Sequence, residues 1–243
     1  MSNIVKKADS GPLVARKKAL DKIRAARPAK PLAGTRAAPV AERQPRLVFG
    51  VDATASREPM WASAQRITDR MFDAIPGALE VALAVHGAGH VHTFTEFSAD
   101  VAQFRARAAA VRCEAGGTRL CELMQRTLDV GGVRVMSYIG DAFEEDEGEA
   151  FGLADRFRLR GIKAIILADE ADEATLQVFH EIADRSGGAL LDFRSGELEL
   201  MGQVLTAIAA LAIGGRKLLA AKPSAGARLL LAHIRPDRPT PDA

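Results

Sequence analysis

The chain has 243 residues, 48% hydrophobic and 26% charged, which suits one ordinary soluble domain with some additional length. Its two cysteines, Cys113 and Cys121, exclude a disulfide framework and fit a reducing compartment, so a cytoplasmic protein is expected. The net charge of +2 hides an asymmetry. Residues 1–46 hold twelve Lys and Arg against three Asp and Glu, and the rest of the chain is net acidic.

Residues 1–45 read as a basic, largely disordered N-terminal arm, because a stretch rich in Lys, Arg, Ala and Pro buries too little apolar surface to offset the entropy of ordering. Within it, Leu13–Ala26 has the pattern of a short basic helix that could form on a partner. The N-terminus lacks the apolar h-region of a secretory leader, and no segment reads as the roughly 18 apolar residues that span a bilayer. Neither secretion nor a membrane partner is therefore expected.

From Arg46 the pattern changes. "RLVFGV" is predicted as a strand, and "MWASAQRITDRMFDAI" as a helix with Trp61, Ala64, Ile67, Met71 and Ile75 on one face. "LEVALAVH" and "HVHTFTEF" follow as a hairpin around "GAG". The helix "ADVAQFRARAAAVR" comes next, and then a glycine turn leads into the helix "GGTRLCELMQRTLDV". "VRVMSYIGD" is a strand ending in an acid, followed by an acidic loop and the helix "EAFGLADRFRLR". Two further strand–helix pairs complete the pattern: "IKAIILAD" with "EATLQVFHEIADRSGG", and "ALLDF" with "SGELELMGQVLTAIAALAIGG". Strands alternating with helices predict an α/β fold: a Rossmann-like, doubly wound and mostly parallel sheet with one antiparallel edge strand and helices on both faces. The domain is expected over residues 46–215, with residues 216–243 as a C-terminal helical extension and frayed tail.

In such sheets ligands gather outside the carboxyl ends of the strands. There the first strand offers Asp52, Thr54 and Ser56, the glycine turn offers Thr118, and "VRVMSYIG" delivers Asp141. An all-oxygen set of two carboxylates and three hydroxyls suits a hard cation such as Mg²⁺ or Ca²⁺. On the first motif alone a second reading stands: Thr54 and Ser56 cap the helix near Pro59, and Asp52 is a buried strand-end acid.

Taken together, "DATAS", "GGT" and "GD" resemble the metal-ion-dependent adhesion site (MIDAS) of von Willebrand factor A (vWA) domains, whose first motif is Asp-x-Ser-x-Ser. The resemblance runs from about Arg46 to Gly215 and includes "EIADRSGGALLDF", which looks like the family's late helix–strand pair. Thr54 keeps the hydroxyl at the middle position, whereas Gly140 stands where many relatives have Ser or Thr. The resemblance implies that Asp52, Thr54, Ser56, Thr118 and Asp141 hold a divalent cation, Mg²⁺ foremost and Ca²⁺ or Mn²⁺ otherwise. It also implies that a carboxylate from another protein completes the coordination shell. The expected role is adhesion or assembly rather than turnover. Bacterial-type intracellular members often work beside AAA+ ATPases or chaperones, and an adaptor role follows by analogy.

Other features carry rival readings. The acids Glu144, Glu145, Asp146, Glu147 and Glu149 read as a solvated loop and helix start, placed to attract the basic arm. His86, His90 and His92 read as ordinary hairpin histidines, with zinc as the alternative, and Cys113 and Cys121 as buried thiols. A phosphohydrolase of the haloacid dehalogenase type would use Asp52 as nucleophile, but would want a second acid where Thr54 stands. The arm has the charge for weak nucleic-acid contact and lacks aromatic residues for base stacking.

Overall fold

The computed structural model describes residues 44–55, 78–193 and 197–235. Residues 1–43 of the predicted arm, the helix predicted from Met60 and the extreme C-terminal residues lie outside these. Among the described residues, six strands form the sheet: β1 (Arg46–Asp52), β2 (Glu80–Gly87), β3 (His90–Phe94), β4 (Val133–Gly140), β5 (Lys163–Asp169) and β6 (Ala189–Phe193). The described helices are α1 (Val101–Ala110), α2 (Leu120–Asp129), α3 (Glu147–Arg160), α4 (Glu173–Ser186), α5 (Leu198–Ala221) and α6 (Ala225–His233).

The strand order is β3-β2-β1-β4-β5-β6. Every neighbouring pair is parallel except β2–β3, so the single antiparallel edge strand is present as expected. β3 ends at Phe94, earlier than the alternating pattern of "HVHTFTEF" predicts. The chain winds outward from β1 in one direction and from β4 in the other. The point where the order reverses therefore lies between these two adjacent strands, where ligands of doubly wound sheets bind.

Alternation along the strands sorts side chains to two faces. Leu47, Phe49 and Val51 of β1 join Phe104 of α1 and Val204, Leu205 and Ile208 of α5 in one core. Val48 joins Leu123 of α2, Phe157 of α3 and Phe179 of α4 in the other. Asp146 and Asp172 cap α3 and α4 by accepting from Glu149 N–H and Thr175 N–H.

Helix α5 departs from expectation in two ways. It is long and apolar enough to cross a membrane by length and composition, so such a run does exist in the sequence. Half of that apolar run is buried within the protein. Non-helical Gly214 and Gly215 also break it, and its last turn continues to Ala221 beyond the expected boundary. Leu219, Leu230 and Ile234 then complete the same core as β1 and α1, because α6 folds back on α5.

Candidate functional site

Asp52 is the last residue of β1, fully buried, and lies in register with His86 of β2. Its Oδ1 accepts the Thr54 N–H at 2.8 Å. This Asx-type bond turns the chain off the strand and holds the carboxylate in one orientation. Thr54 is buried beside it, at 8% exposure. The intervening Ala53 donates to His86 O at 2.8 Å and accepts from Glu114 N–H at 2.9 Å. The end of β1 is thus fastened between β2 and the loop that carries Thr118. Ser56 lies outside the described residues.

That second loop is pinned from the opposite side by the β2–β3 hairpin. Ala88 and Gly89 both have positive φ, as a two-residue type I′ turn requires. Gly116 packs directly on this turn, where a Cβ would stand 2.4 Å from Gly89 N. Arg119 Nε donates to Gly89 O at 2.6 Å.

Thr118, 1% exposed, exchanges two bonds with Glu144. Its Oγ1 accepts the Glu144 N–H at 2.9 Å, and its own N–H donates to Glu144 Oε2 at 3.2 Å. Glu144 lies three residues after Asp141, which leaves β4 half-buried. These bonds stitch the end of β1, the Thr118 loop and the segment after β4 into one unit.

The acidic cluster is therefore more than a solvated loop. Glu145 accepts from Leu120 N–H at 2.5 Å and from Cys121 N–H, so it caps α2, whose own N-cap residue Arg119 makes no side-chain cap bond. Burial raises its carboxyl above the usual range, and the two amide bonds oppose this. Asp146 caps α3. Burial and Glu145 push the Cys121 thiol well up, which leaves an inert core thiol, as expected.

The three histidines separate. His90 and His92 are exposed on β3, with ring centroids 6.0 Å apart. His86 is fully buried, and its Nε2 is 2.8 Å from Tyr138 Oη. Among the described residues, no three His, Cys, Asp or Glu side chains are grouped to hold a metal. The carboxyl ends of β1 and β4 instead offer two carboxylates supplemented by hydroxyls. A hydroxyl has two lone pairs, so Thr118 Oγ1 retains acceptor capacity beyond its bond from Glu144. Asp52 commits one bond to orienting itself. This hard, oxygen-only donor set fits a divalent cation of the Mg²⁺ or Ca²⁺ kind.

Sequence reasoning missed Glu144 and Glu145 as the struts of the site, and Tyr138 altogether. The caps come from 25 and 24 residues away, and the Thr118–Glu144 pair spans 26, so no local spacing announces them. The tyrosine of "VRVMSYIG", two residues before Gly140 in a strand, was the available signal.

No family model matches the sequence. No curated protein matches it by sequence. Solved structures do resemble it. A von Willebrand factor type A protein from Catenulispora acidiphila superposes with a TM-score of 0.58 at 15% identity, over 70% of this chain and 43% of the other. The pilus adhesin SpaC from Lactobacillus rhamnosus GG gives 0.56 at 12%, over 72% and 30%. Proximal thread matrix protein 1 from the mussel byssus, with a zinc-occupied MIDAS motif, gives 0.54 at 14%, over 68% and 45%. The fold is that of a vWA domain. The chain spans less than half the length of each of these three neighbours.

Proposed function

We propose that this domain binds a divalent cation through Asp52, Thr54, Ser56, Thr118 and Asp141, and uses it to hold a carboxylate of a partner protein. The observation that carries this reading is the set of hydrogen bonds joining the end of β1, the Thr118 loop and the segment after β4 at the reversal of strand order. Such stitching holds ligands from three distant stretches in place before an ion arrives. The fold supports it too, since one structural neighbour is a pilus adhesin and another carries zinc in a MIDAS motif.

Mg²⁺ is the ion we assign, on the hardness of the donors, with Ca²⁺ and Mn²⁺ as competitors. We read the protein as a cytoplasmic, non-catalytic adaptor or assembly factor, with an AAA+ ATPase or chaperone as the partner class. Asp52 serves poorly as a nucleophile here. Its Oδ1 is engaged by Thr54 N–H, and no acid stands at position 54 to protonate a leaving group. Nucleic-acid contact, if made through the arm, is accessory.

Calorimetric titration of Mg²⁺, Ca²⁺ and Mn²⁺ into the chelator-treated full chain tests the reading. Saturable binding is expected in the natural sequence and none in Asp52→Ala, with both folded by circular dichroism. Equal binding by Asp52→Ala would reject the site. Partner capture that survives chelation would reject metal-dependent recognition.

A further inference from the structure

Beneath Asp52 lies a buried polar chain that metal coordination does not itself require. His86 is fully buried, its Nδ1 lies 3.9 Å from Asp52 Oδ1, and its Nε2 is hydrogen-bonded to Tyr138 Oη at 2.8 Å. The two rings stack at 5.7 Å with 19° between their planes. Phe179 of α4 closes the far side of Tyr138 edge-on at 5.9 Å. A Cβ on Gly140 would stand 2.7 Å from Tyr138 Cε1 and Oη, so the phenol lies directly across this glycine. Side chains from β1, β2 and β4 thus form one line on one face of the sheet, and the glycine before Asp141 makes room for it.

We infer that His86, oriented by Tyr138, is a positioning residue that presents an Nδ1–H to Asp52 and so fixes the carboxylate for the cation. The inference rests on the metal-binding reading above. A neutral imidazole carries one proton, and the two tautomers differ in consequence. With the proton on Nε2, the Nδ1 lone pair would face the Asp52 carboxylate. With the proton on Nδ1, the imidazole offers its positive edge to Asp52, and Nε2 accepts the Tyr138 hydroxyl. Only the second arrangement is attractive at both ends. Groups that orient metal ligands in this way typically contribute about 10- to 100-fold in metal affinity.

The two ends of an imidazole can be tested separately, because the Asn amide nitrogen can stand where Nδ1 does, whereas the Gln amide nitrogen stands nearer Nε2. Mg²⁺ affinity is measured by calorimetry on full-length protein for the natural sequence, His86→Asn, His86→Gln, Tyr138→Phe and Asp52→Ala, with thermal unfolding of each. His86→Asn is expected to bind within about threefold of the natural sequence. His86→Gln and Tyr138→Phe are expected to lose about tenfold. Tyr138→Phe deletes a single oxygen and keeps the test valid if both His86 variants unfold. Nitrogen-15 spectra of the metal-free protein, with His86 assigned by its absence in His86→Asn, should show a proton on Nδ1. Natural affinity in both His86→Gln and Tyr138→Phe overturns the inference and leaves the metal site standing. Equal losses in His86→Asn and His86→Gln, or a proton on Nε2, also overturn the inference alone. No Mg²⁺ binding by the natural sequence removes the metal reading, and the inference with it.

Discussion

The two faces of this sheet are built from different materials. Towards α5, the strands present Leu47, Phe49 and Val51 from β1, Val81, Leu83 and Val85 from β2, and Val135 and Ile139 from β4. Towards α2, α3 and α4, the same strands present Val48, Gly50 and Asp52, then Ala82, Ala84 and His86, then Met136, Tyr138 and Gly140. Apart from Ser137 of β4, the first face is bulky and apolar, and it stabilises through buried area. The second uses smaller residues and becomes polar towards the carboxyl ends of the strands. One fold therefore keeps stability and chemistry on opposite sides of a layer one residue thick. Substitutions on the first face should register as stability alone, and those at the end of the second as binding as well.

The largest effect expected to sharpen this contrast is a pH dependence confined to the polar face. Burial lowers His86 from 6.5 to about 4, with His92 and Arg119 adding to the shift and Glu122 opposing it. In that interval the unfolded chain binds a proton that the folded one refuses. The contribution is thus fully present above pH 6.5 and is lost as pH falls towards 4, by about 3 kcal/mol in all. Urea unfolding at pH 7 and pH 5 should show natural protein losing stability and His86→Asn losing less. Identical slopes for the two would mean that His86 is not held neutral.

Next comes Gly140→Ala. Its Cβ meets the Tyr138 ring well inside contact distance, so the ring must move or the strand must shift. The cost should be about 2 kcal/mol, in the range of small overpacking substitutions. Tyr138 is the only tyrosine in the chain, so a single fluorotyrosine resonance reports whether the ring has moved. An unmoved resonance with unchanged melting temperature would break the account of why glycine stands there.

Much of this organisation was legible in the sequence. The strand and helix periods gave the winding, and the strand ends named Asp52, Thr54, Thr118 and Asp141 as site candidates. Contacts between distant segments were not legible. The Thr118–Glu144 exchange and the Glu145 cap on α2 join loops that only the fold brings together. The pattern "HGAGHVH" grouped His86 with His90 and His92, yet the strand pleat and register send His86 inward and leave the other two exposed. The helix of α5 was legible as far as "AIGG", whereas its continuation to Ala221 beyond the non-helical Gly214 and Gly215 was not.

The smallest expected effect lies on the apolar face itself, at its one exception in β4. Ser137 sits between Val135 and Ile139 and is fully buried, and among the described residues its hydroxyl has no hydrogen-bond partner. Such a group loses its water on folding without compensation, a cost of about 1–3 kcal/mol. Ser137→Ala removes the oxygen and keeps the Cβ, so it should stabilise the fold by about 1 kcal/mol, a net figure because some packing contact goes with the oxygen. The apolar face should therefore improve when made more uniform, while Mg²⁺ affinity stays unchanged. Unfolding and calorimetry on the same variant decide the matter. A loss of stability would mean that the hydroxyl has a role in the core, and a loss of metal affinity would mean that the two faces are not independent.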